Sequence, residues 1–271
     1  MTDRSPISIS ASAPLVFITG ASSGIGQALA LRYHQAGYRL ALVARNVSGI
    51  ESWAKALNIS GTSYQIYSAD VCDHEALAAA AQACIERQGL PDLVIANAGI
   101  SIGVDTAEAA DLAVMERILA TNVLGVAASF QPFIRPMQAR GHGTLVGVGS
   151  VAGVRGLPGH GGYCASKAAV AAYCESLRGE LRSQGIRVVL LVPGYVDTPL
   201  TRQNRYAMPF LMRPEAFADK AFDAIAAGVP ERVIPWQMGW VAKVLRVLPN
   251  AWFDRLLAGR PRKHRADERR P

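Results

Sequence analysis

The sequence of 271 residues lacks the features that mark several classes of protein. Half of its residues are hydrophobic, yet charges interrupt every long apolar run, so no segment predicts a membrane-spanning helix. Residues 1–12 are polar and rich in serine, without the apolar region of a secretory signal. These absences favour a cytoplasmic globular protein.

Cysteine is scarce, and its spacing matches neither a zinc site nor a redox motif. No two cysteines have C-x-x-C spacing, and no histidine cluster accompanies them. We therefore expect free, mostly buried thiols and no bound metal. The four cysteines are Cys72, Cys84, Cys164 and Cys174.

Acidic residues are fewer than basic ones, which gives a formal net charge of +7. Residues 260–270 contain six Lys/Arg and two Asp/Glu, so they supply +4 of this charge. The remainder is spread along the chain, whereas a nucleic-acid-binding surface would be a concentrated patch. Residues 259–271 are predicted to form a basic, disordered tail, and no nucleic-acid partner is expected.

Short β-branched runs alternate with longer helical patterns. This alternation requires crossover connections, and it predicts one α/β domain over residues 14–235, with a doubly wound (Rossmann) parallel sheet of about seven strands and helices on both faces. Ligands are expected at the carboxyl ends of the strands. The predicted strands are Leu15–Thr19, Arg39–Ala44, Tyr64–Ser68, Asp92–Ala96, Gly143–Gly149, Ile186–Val192 and Arg232–Pro235.

A glycine-rich turn follows the first predicted strand and precedes a helical pattern. Its backbone N–H groups and the helix N-terminus are suited to bind a pyrophosphate, although glycines also serve tight turns and close packing. The residues predicted to contact a dinucleotide here are Gly20, Ser22, Ser23, Gly24, Ile25 and Gly26.

A second motif, Ser150 followed by Tyr163 and Lys167, lies far downstream. On a helix, Tyr163 and Lys167 share one face, where the ammonium would lower the phenol pKa and prepare the tyrosine to transfer a proton. Such a pair taken alone is more often a surface pair with a solvated amine. Its occurrence together with the glycine turn favours a nicotinamide-dependent oxidoreductase.

Over residues 14–235 the chain resembles the short-chain dehydrogenase/reductase family. The motif T-G-x-x-x-G-x-G is matched from Thr19 to Gly26, and an N-A-G motif is matched by Asn97, Ala98 and Gly99. The resemblance implies that contacts to the nicotinamide end come from Pro193, Gly194, Val196 and Thr198. It also implies a catalytic tetrad of Asn122, Ser150, Tyr163 and Lys167.

The resemblance assigns a role to each member of the tetrad. Tyr163 would exchange a proton with the substrate oxygen, and Ser150 would hydrogen-bond to the same oxygen. Lys167 would also bind the ribose at the nicotinamide end of the dinucleotide, and Tyr163 would contact the dinucleotide as well. Asn122 would hold a water that relays protons to Lys167, or it could simply bond to backbone groups within a helix.

The end of the second predicted strand favours NADP(H) over NAD(H). Arg45 stands there, and no acidic residue lies between the end of this strand and Glu51, so a 2′-phosphate is better accommodated than a free 2′-hydroxyl. Ser22 can add a hydrogen bond. NAD(H) remains the alternative, because Arg45 could be an ordinary solvated side chain. By resemblance, Asp70 and Val71 reach the adenine, although Asp70 could instead cap the next helix.

Residues 199–213 are predicted to cover the substrate pocket. They mix apolar and aromatic side chains with Arg202, Arg205 and Arg213, which favours a medium-sized hydrophobic carbonyl substrate and allows an anionic group. The predicted reaction interconverts a carbonyl and a secondary alcohol by hydride transfer. The alternatives are a non-catalytic dinucleotide sensor, which would normally have a broken tetrad, and a sugar-nucleotide epimerase, which would have a G-x-x-G-x-x-G turn.

Residues 236–258 form an amphipathic C-terminal helical extension with three tryptophans. Packing on the domain beside the substrate pocket, or dimerisation, is favoured, and peripheral contact with an anionic membrane is the less favoured alternative. We expect a homodimer through two long helices, near residues 111–139 and 162–183. The extension is expected to alter or cover the other interface of the family's tetramer.

Overall fold

The computed structural model describes residues 9–268. Within this range the strands are β1 (Leu15–Thr19), β2 (Arg39–Ala44), β3 (Tyr64–Ser68), β4 (Leu93–Ala96), β5 (Gly143–Val148), β6 (Ile186–Pro193) and β7 (Glu231–Ile234). All seven are parallel and form one sheet in the order β3-β2-β1-β4-β5-β6-β7. The predicted doubly wound sheet is confirmed, and each predicted strand begins and ends within one residue of the observed one.

Helices connect and flank these strands. They are α1 (Gly24–Gln35), α2 (Val47–Ala56), α3 (His74–Gln88), α4 (Ala110–Leu119), α5 (Gly125–Arg140), α6 (Gly161–Leu181), α7 (Pro214–Ala226), α8 (Trp236–Val247) and α9 (Asn250–Leu257). A π-helical turn (Ala120–Leu124) joins α4 to α5. One-turn 3₁₀ helices lie at Val151–Gly153 and Arg182–Gln184.

Two apolar layers sandwich the sheet because alternate residues of a strand face opposite sides. In β1, Leu15 and Phe17 pack with α3, α5 and α6, whereas Val16 and Ile18 pack with α1, α2 and α7. The central strands are therefore largely apolar, as is typical of a parallel sheet that is buried on both faces, whereas the edge strands β3 and β7 are partly exposed and carry polar residues.

The sheet reverses its winding direction between β1 and β4. In such folds a crevice opens outside the carboxyl ends of the strands at this point, and ligands bind there. The glycine-rich turn after β1 and the N-A-G motif after β4 both lie at this edge.

The continuous helix from Ala110 to Arg140 is, in the described part of the chain, the single helix long and apolar enough to cross a bilayer by length and composition. Core helices of soluble proteins satisfy the same criteria, so this is weak support for a membrane span. Here the helix buries Phe130, Phe133 and Met137 against the sheet.

The C-terminal segment differs from the disordered tail that its charge predicts. Residues 259–268, which we call the C-terminal strap, cross the domain surface, and the Lys263 side chain is buried. The backbone N–H of Gly103 donates to the carbonyl oxygen of His264 at 2.8 Å. Arg265 pairs with the buried Asp111 at 2.7 Å. The last three residues of the predicted tail, and the first eight residues of the chain, lie outside the described range.

Candidate active site

The glycine-rich turn passes so close to the N-A-G segment that side chains would not fit. Gly20 has φ +68°, and a Cβ there would lie 2.8 Å from the Cα of Ala98. At Gly26, a Cβ would overlap the carbonyl oxygen of Gly20. Gly26 is therefore a packing residue, and unlike its predicted role it does not line the cleft.

The N-terminus of α1 points an uncompensated positive dipole into this turn. Ser23 is the N-cap residue, yet its side chain makes no capping hydrogen bond, and the first turn contains no acidic residue. Free N–H groups at a helix N-terminus bind phosphate readily. The arrangement fits the pyrophosphate of a nicotinamide dinucleotide.

A cleft of about 340 Å³ extends from this turn along the carboxyl edge of the sheet. Nearly all residues predicted to contact the cofactor line it: Gly20, Ser22, Ser23, Gly24, Ile25, Arg45, Asp70, Val71, Asn97, Ala98, Gly99, Tyr163, Lys167, Pro193, Gly194, Val196 and Thr198. Sequence reasoning did not identify several other lining residues, such as Asn46, Thr121 and Leu200.

Asn97 holds the two central strands together at the base of the cleft. Its side-chain N–H₂ donates to the carbonyl oxygens of Thr19 at 3.0 Å and Gly20 at 3.2 Å. Its backbone N–H donates to the Thr19 hydroxyl at 3.2 Å. The amide therefore positions the glycine turn.

Arg45 lies at the adenosine end of the cleft, where its guanidinium is 3.4 Å from the Asp70 carboxylate. Burial opposes ionisation of Asp70, but a hydrogen bond from the Cys72 backbone and the Arg45 charge hold its pKa below the usual value. Asp70 does not cap α3, because Asp73 does so by accepting from the Ala76 N–H. The Arg45 side chain is largely exposed, so this ion pair is worth little and leaves Arg45 free to turn toward a phosphate.

Ser150, Tyr163 and Lys167 converge where β5 ends and α6 begins. Ser150 follows β5 directly, and its hydroxyl accepts from the Ala152 N–H at 3.1 Å while also bonding to the Tyr163 phenol. Lys167 lies one turn after Tyr163 and donates to the carbonyl oxygen of Val148 at 2.8 Å. Its ammonium is 5.8 Å from the centroid of the Tyr163 ring.

Burial dominates the electrostatics of this pair. It raises the pKa of Tyr163 to about 12, against the opposing effect of the Ser150 hydrogen bond. It also lowers the pKa of Lys167 to about 8. Lys167 is not among the groups that shift the pKa of Tyr163 in this arrangement, so the predicted lowering of the phenol pKa by the ammonium stays a prediction.

Asn122 lies in the π-helical turn and is fully buried. Its carbonyl oxygen accepts from the Ile100 N–H at 2.8 Å, and its N–H₂ donates to the Ile100 carbonyl and to the Ser166 hydroxyl. A Cβ placed on Gly99 would lie 3.2 Å from the Asn122 oxygen and 3.7 Å from the Lys167 ammonium, so both side chains approach this glycine. The Asn122 side chain therefore bonds to backbone groups, as the simpler interpretation predicts. These groups belong to Ile100, in the loop after β4, and not to the helix that carries Asn122.

A second cavity of about 560 Å³ adjoins the cleft. Five residues line both spaces: Ser150, Tyr163, Gly194, Leu200 and Thr201. The phenol and the serine hydroxyl therefore stand at the junction between a dinucleotide-shaped cleft and a mainly apolar chamber.

Part of the segment at residues 199–213 borders the second cavity, including Arg205 and Tyr206. The Tyr206 hydroxyl hydrogen-bonds to the His160 imidazole at 3.2 Å. The other two arginines of this segment do not line the cavity: Arg202 pairs with Asp197, and Arg213 pairs with Glu215 at the surface.

The C-terminal segment supplies a wall of the second cavity, and the strap is the part of that wall that sequence reasoning missed. The lining residues from this segment are Met238, Val241, Ala242, Leu245, Leu256, Leu257, Arg260, Pro261 and Lys263. The amphipathic pattern of residues 236–257 indicated a buried face, but no sequence signal placed the basic strap there.

The model of the short chain dehydrogenase family matches residues 14–208. An uncharacterized oxidoreductase of Myxococcus xanthus is 37% identical over 237 residues, which cover 88% of this chain and 93% of that protein. Actinorhodin polyketide ketoreductase with NADPH superposes with a TM-score of 0.76 at 27% identity, covering 84% of this chain and 97% of that one. A short chain dehydrogenase/reductase from Burkholderia phymatum in complex with NAD has the same fold, with a TM-score of 0.77 at 24% identity over 86% of this chain and 92% of that one.

Proposed function

This chain belongs to the short-chain dehydrogenase/reductase family, and we propose that it is an NADP(H)-dependent reductase of a medium-sized hydrophobic ketone or acyl carbonyl compound. The family and its solved relatives make it an NAD(P)-dependent oxidoreductase that interconverts carbonyl and alcohol groups. The choice of cofactor, the substrate class and the direction are the proposed part.

The single observation that carries the proposal is the shared lining of the two cavities. Ser150 and Tyr163 border both spaces, so a carbonyl in the second cavity can reach both hydroxyls beside the nicotinamide end of the cleft. When bound, the dinucleotide supplies the hydride. Tyr163 donates its proton to the carbonyl oxygen, and Ser150 donates a hydrogen bond that stabilises the negative charge developing there.

The direction of reduction is proposed from the likeness to the actinorhodin polyketide ketoreductase. Burial raises the pKa of Tyr163 to about 12, so the phenol is protonated near neutral pH and holds the proton that reduction requires. Lys167, buried beside Gly99, is in place to bind the nicotinamide ribose.

Arg45 supports NADP(H). It lines the cleft at the end of β2, with a guanidinium that can form a bidentate pair with a 2′-phosphate. Asp70 is the acidic group nearest to it, but that carboxylate follows β3 and already accepts bonds from Cys72 and Arg45.

The second cavity supports a mainly hydrophobic substrate. Its volume is typical of small-molecule sites, and apolar side chains of α8 and α9 form one wall. Arg260 and Lys263 also line it, which allows an acidic group on the substrate.

The assembly and compartment are also proposed. We infer a homodimer through α4, α5 and α6, with the extension preventing the second interface of a tetramer. A reducing compartment such as the cytoplasm suits a chain whose four cysteines are all free.

Absorbance of the reduced cofactor tests the function directly. A panel of ketones, aldehydes, sterols and acyl thioesters should include compounds that oxidise NADPH in the presence of the protein. Replacing Tyr163→Phe removes the transferable proton and conserves the shape of the ring, so turnover should fall by about 10²-fold or more while NADPH binding stays nearly unchanged. Retained turnover in that variant would contradict the assignment of Tyr163.

A further inference from the structure

Helix α8 is apolar on two opposite faces. Its inner face contributes Met238, Val241, Ala242 and Leu245 to the wall of the second cavity. Its outer face leaves Trp236, Trp240, Val244 and Val247 between 58% and 80% exposed. A helix that is apolar all round is normally covered on both sides.

Helix α9 extends this outer surface with Trp252 and Leu256, which are also exposed. We call Trp236, Trp240, Val244, Val247, Trp252 and Leu256 the tryptophan face. It holds three of the four tryptophans of the chain. Single exposed apolar residues are common, but four large ones along one stripe of α8, followed by two more on the next helix, mark an interaction surface.

The two helices are held firmly to the domain. Arg155 donates to the carbonyl oxygens of Leu245 and Leu248 at the end of α8 and to the side chain of Asn250. Its guanidinium also lies 3.7 Å above the ring of Phe253. The tryptophan face is therefore a fixed surface.

The charges around the tryptophan face are mainly basic. Residues 236–257 contain Lys243, Arg246 and Arg255 against one acidic residue, Asp254. The ammonium of Lys243 lies 5.1 Å from the Trp240 ring, and the exposed Arg246 donates to the carbonyl oxygen of Val154. A two-fold contact with a second copy would bring the net positive charge of both copies into one interface, whereas an anionic lipid surface would neutralise it.

We propose that the tryptophan face binds peripherally to an anionic membrane surface. Tryptophan prefers the interfacial region of a bilayer, where its ring is partly buried and its N–H remains hydrated, and neighbouring cations attract acidic headgroups. Leu256 belongs both to this face and to the lining of the second cavity. Docking therefore brings the rim of that cavity to the lipid surface.

Sedimentation of the full-length protein with vesicles tests the proposal. The protein should sediment with vesicles of phosphatidylcholine and phosphatidylglycerol, more weakly with phosphatidylcholine alone, and less as salt is raised. Tryptophan fluorescence should shift to shorter wavelength on binding. Trp53 is buried and bonded to the Ala21 carbonyl, so the shift would report the other three tryptophans.

Trp240→Glu should weaken vesicle binding by about tenfold or more, since burying one large apolar side chain is worth more than a tenfold change in affinity. Leu57→Glu, at an exposed apolar position directly after α2, is the matched control and should bind like the wild type. Lys243→Glu should weaken binding to the anionic vesicles selectively.

Absence of vesicle binding at low salt would overturn the proposal, as would equal binding by the wild type and Trp240→Glu. A wild-type dimer that Trp240→Glu converts to a monomer, without vesicle binding, would instead identify a subunit interface. Turnover of a water-soluble carbonyl compound by Trp240→Glu should persist, so failure of membrane binding and failure of the proposed enzymatic function are distinguishable.

Discussion

Tyr163 and Lys167 lie on one turn of α6, and burial moves their pKa values in opposite directions. The phenol, with a pKa of about 12, stays protonated at neutral pH, whereas the ammonium, with a pKa of about 8, is close to releasing its proton. The buried ammonium is costly to hold in the folded protein.

This cost predicts how a lysine substitution changes stability. Below pH 8 Lys167 is charged in both the folded and the unfolded state, so desolvation of the ammonium destabilises the folded protein in full. Between pH 8 and about 10.5 only the unfolded state keeps the proton, so the stability contributed by this group rises with pH. Lys167→Met should therefore stabilise the protein near pH 7 by up to about 3 kcal/mol, and less near pH 10.

Denaturant unfolding of the protein without cofactor at the two pH values measures this effect. The exposed Lys55→Met variant corrects for the loss of one positive charge. If Lys167→Met raised the free energy of unfolding by as much at the higher pH as at the lower one, the proposed cost of burying the ammonium would be contradicted.

Arg45 decides the cofactor in our proposal, and a charge reversal tests it. In Arg45→Asp the carboxylate repels a 2′-phosphate but can accept a hydrogen bond from a 2′-hydroxyl. The KM for NADPH should rise about ten- to a hundredfold, and discrimination against NADH should decrease. Steady-state kinetics with both cofactors measures the change, with Arg213→Asp as an exposed control outside the cleft. A wild type that already prefers NADH would refute the proposed role of Arg45.

At the scale of elements, the C-terminal strap decides the shape of the second cavity. It is fixed by the Arg265–Asp111 pair, in which the guanidinium hydrogen bonds hold the pKa of Asp111 below its usual value. Gly103 lies beneath the strap, and a Cβ there would overlap the carbonyl oxygen of Lys263.

Gly103→Ala should displace the strap without disturbing the dinucleotide cleft. Because Arg260 and Lys263 line the second cavity, the KM for the carbonyl substrate should rise severalfold while the KM for NADPH changes little. Limited trypsin digestion, read by mass, should cleave faster after the basic residues of the strap. Gly61→Ala has open space around its Cβ and is the matched control. Unchanged digestion in Gly103→Ala would contradict this account of the strap.

At the scale of the whole molecule, two apolar surfaces have different proposed partners. The helix Ala110–Arg140 carries exposed Leu112 and Leu124, and most of its apolar part is not buried inside the chain. Its neighbour α6 exposes small residues such as Ala165 and Ala168, which permit close approach of a second copy. The tryptophan face lies on other helices, so dimerisation and lipid binding need not compete.

The oligomeric state, measured by light scattering, tests which of the two surfaces forms the dimer. The full-length protein should be a dimer, and Leu112→Arg should shift it toward monomer because a charge would be buried at the interface. Trp240→Glu should remain dimeric. A full-length tetramer would refute the idea that the C-terminal extension obstructs the second interface.

The strands and the motifs could be predicted from local features of the sequence. Short β-branched runs that alternate with helical patterns marked the strands to within one residue, because the central strands of a parallel sheet are buried on both faces and are largely apolar. The glycine turn was recognisable because only glycine permits the close approach of Gly20 to Ala98. Placement of Ser150, Tyr163 and Lys167 followed from the resemblance and from the spacing of the last two residues.

The sequence by itself thus determined the sheet, the position of the cleft and the residue types at its centre. Only the tertiary structure decided the pKa values of Tyr163 and Lys167, because these depend on how completely the surrounding elements exclude water. It also decided that a basic tail becomes a strap: Arg265 meets Asp111 across 154 residues of sequence, a pairing that no local pattern encodes. Helix α8 is a further example, because its sequence is apolar on both faces. Only the packing of the domain determines which of these residues line the cavity and which face outward.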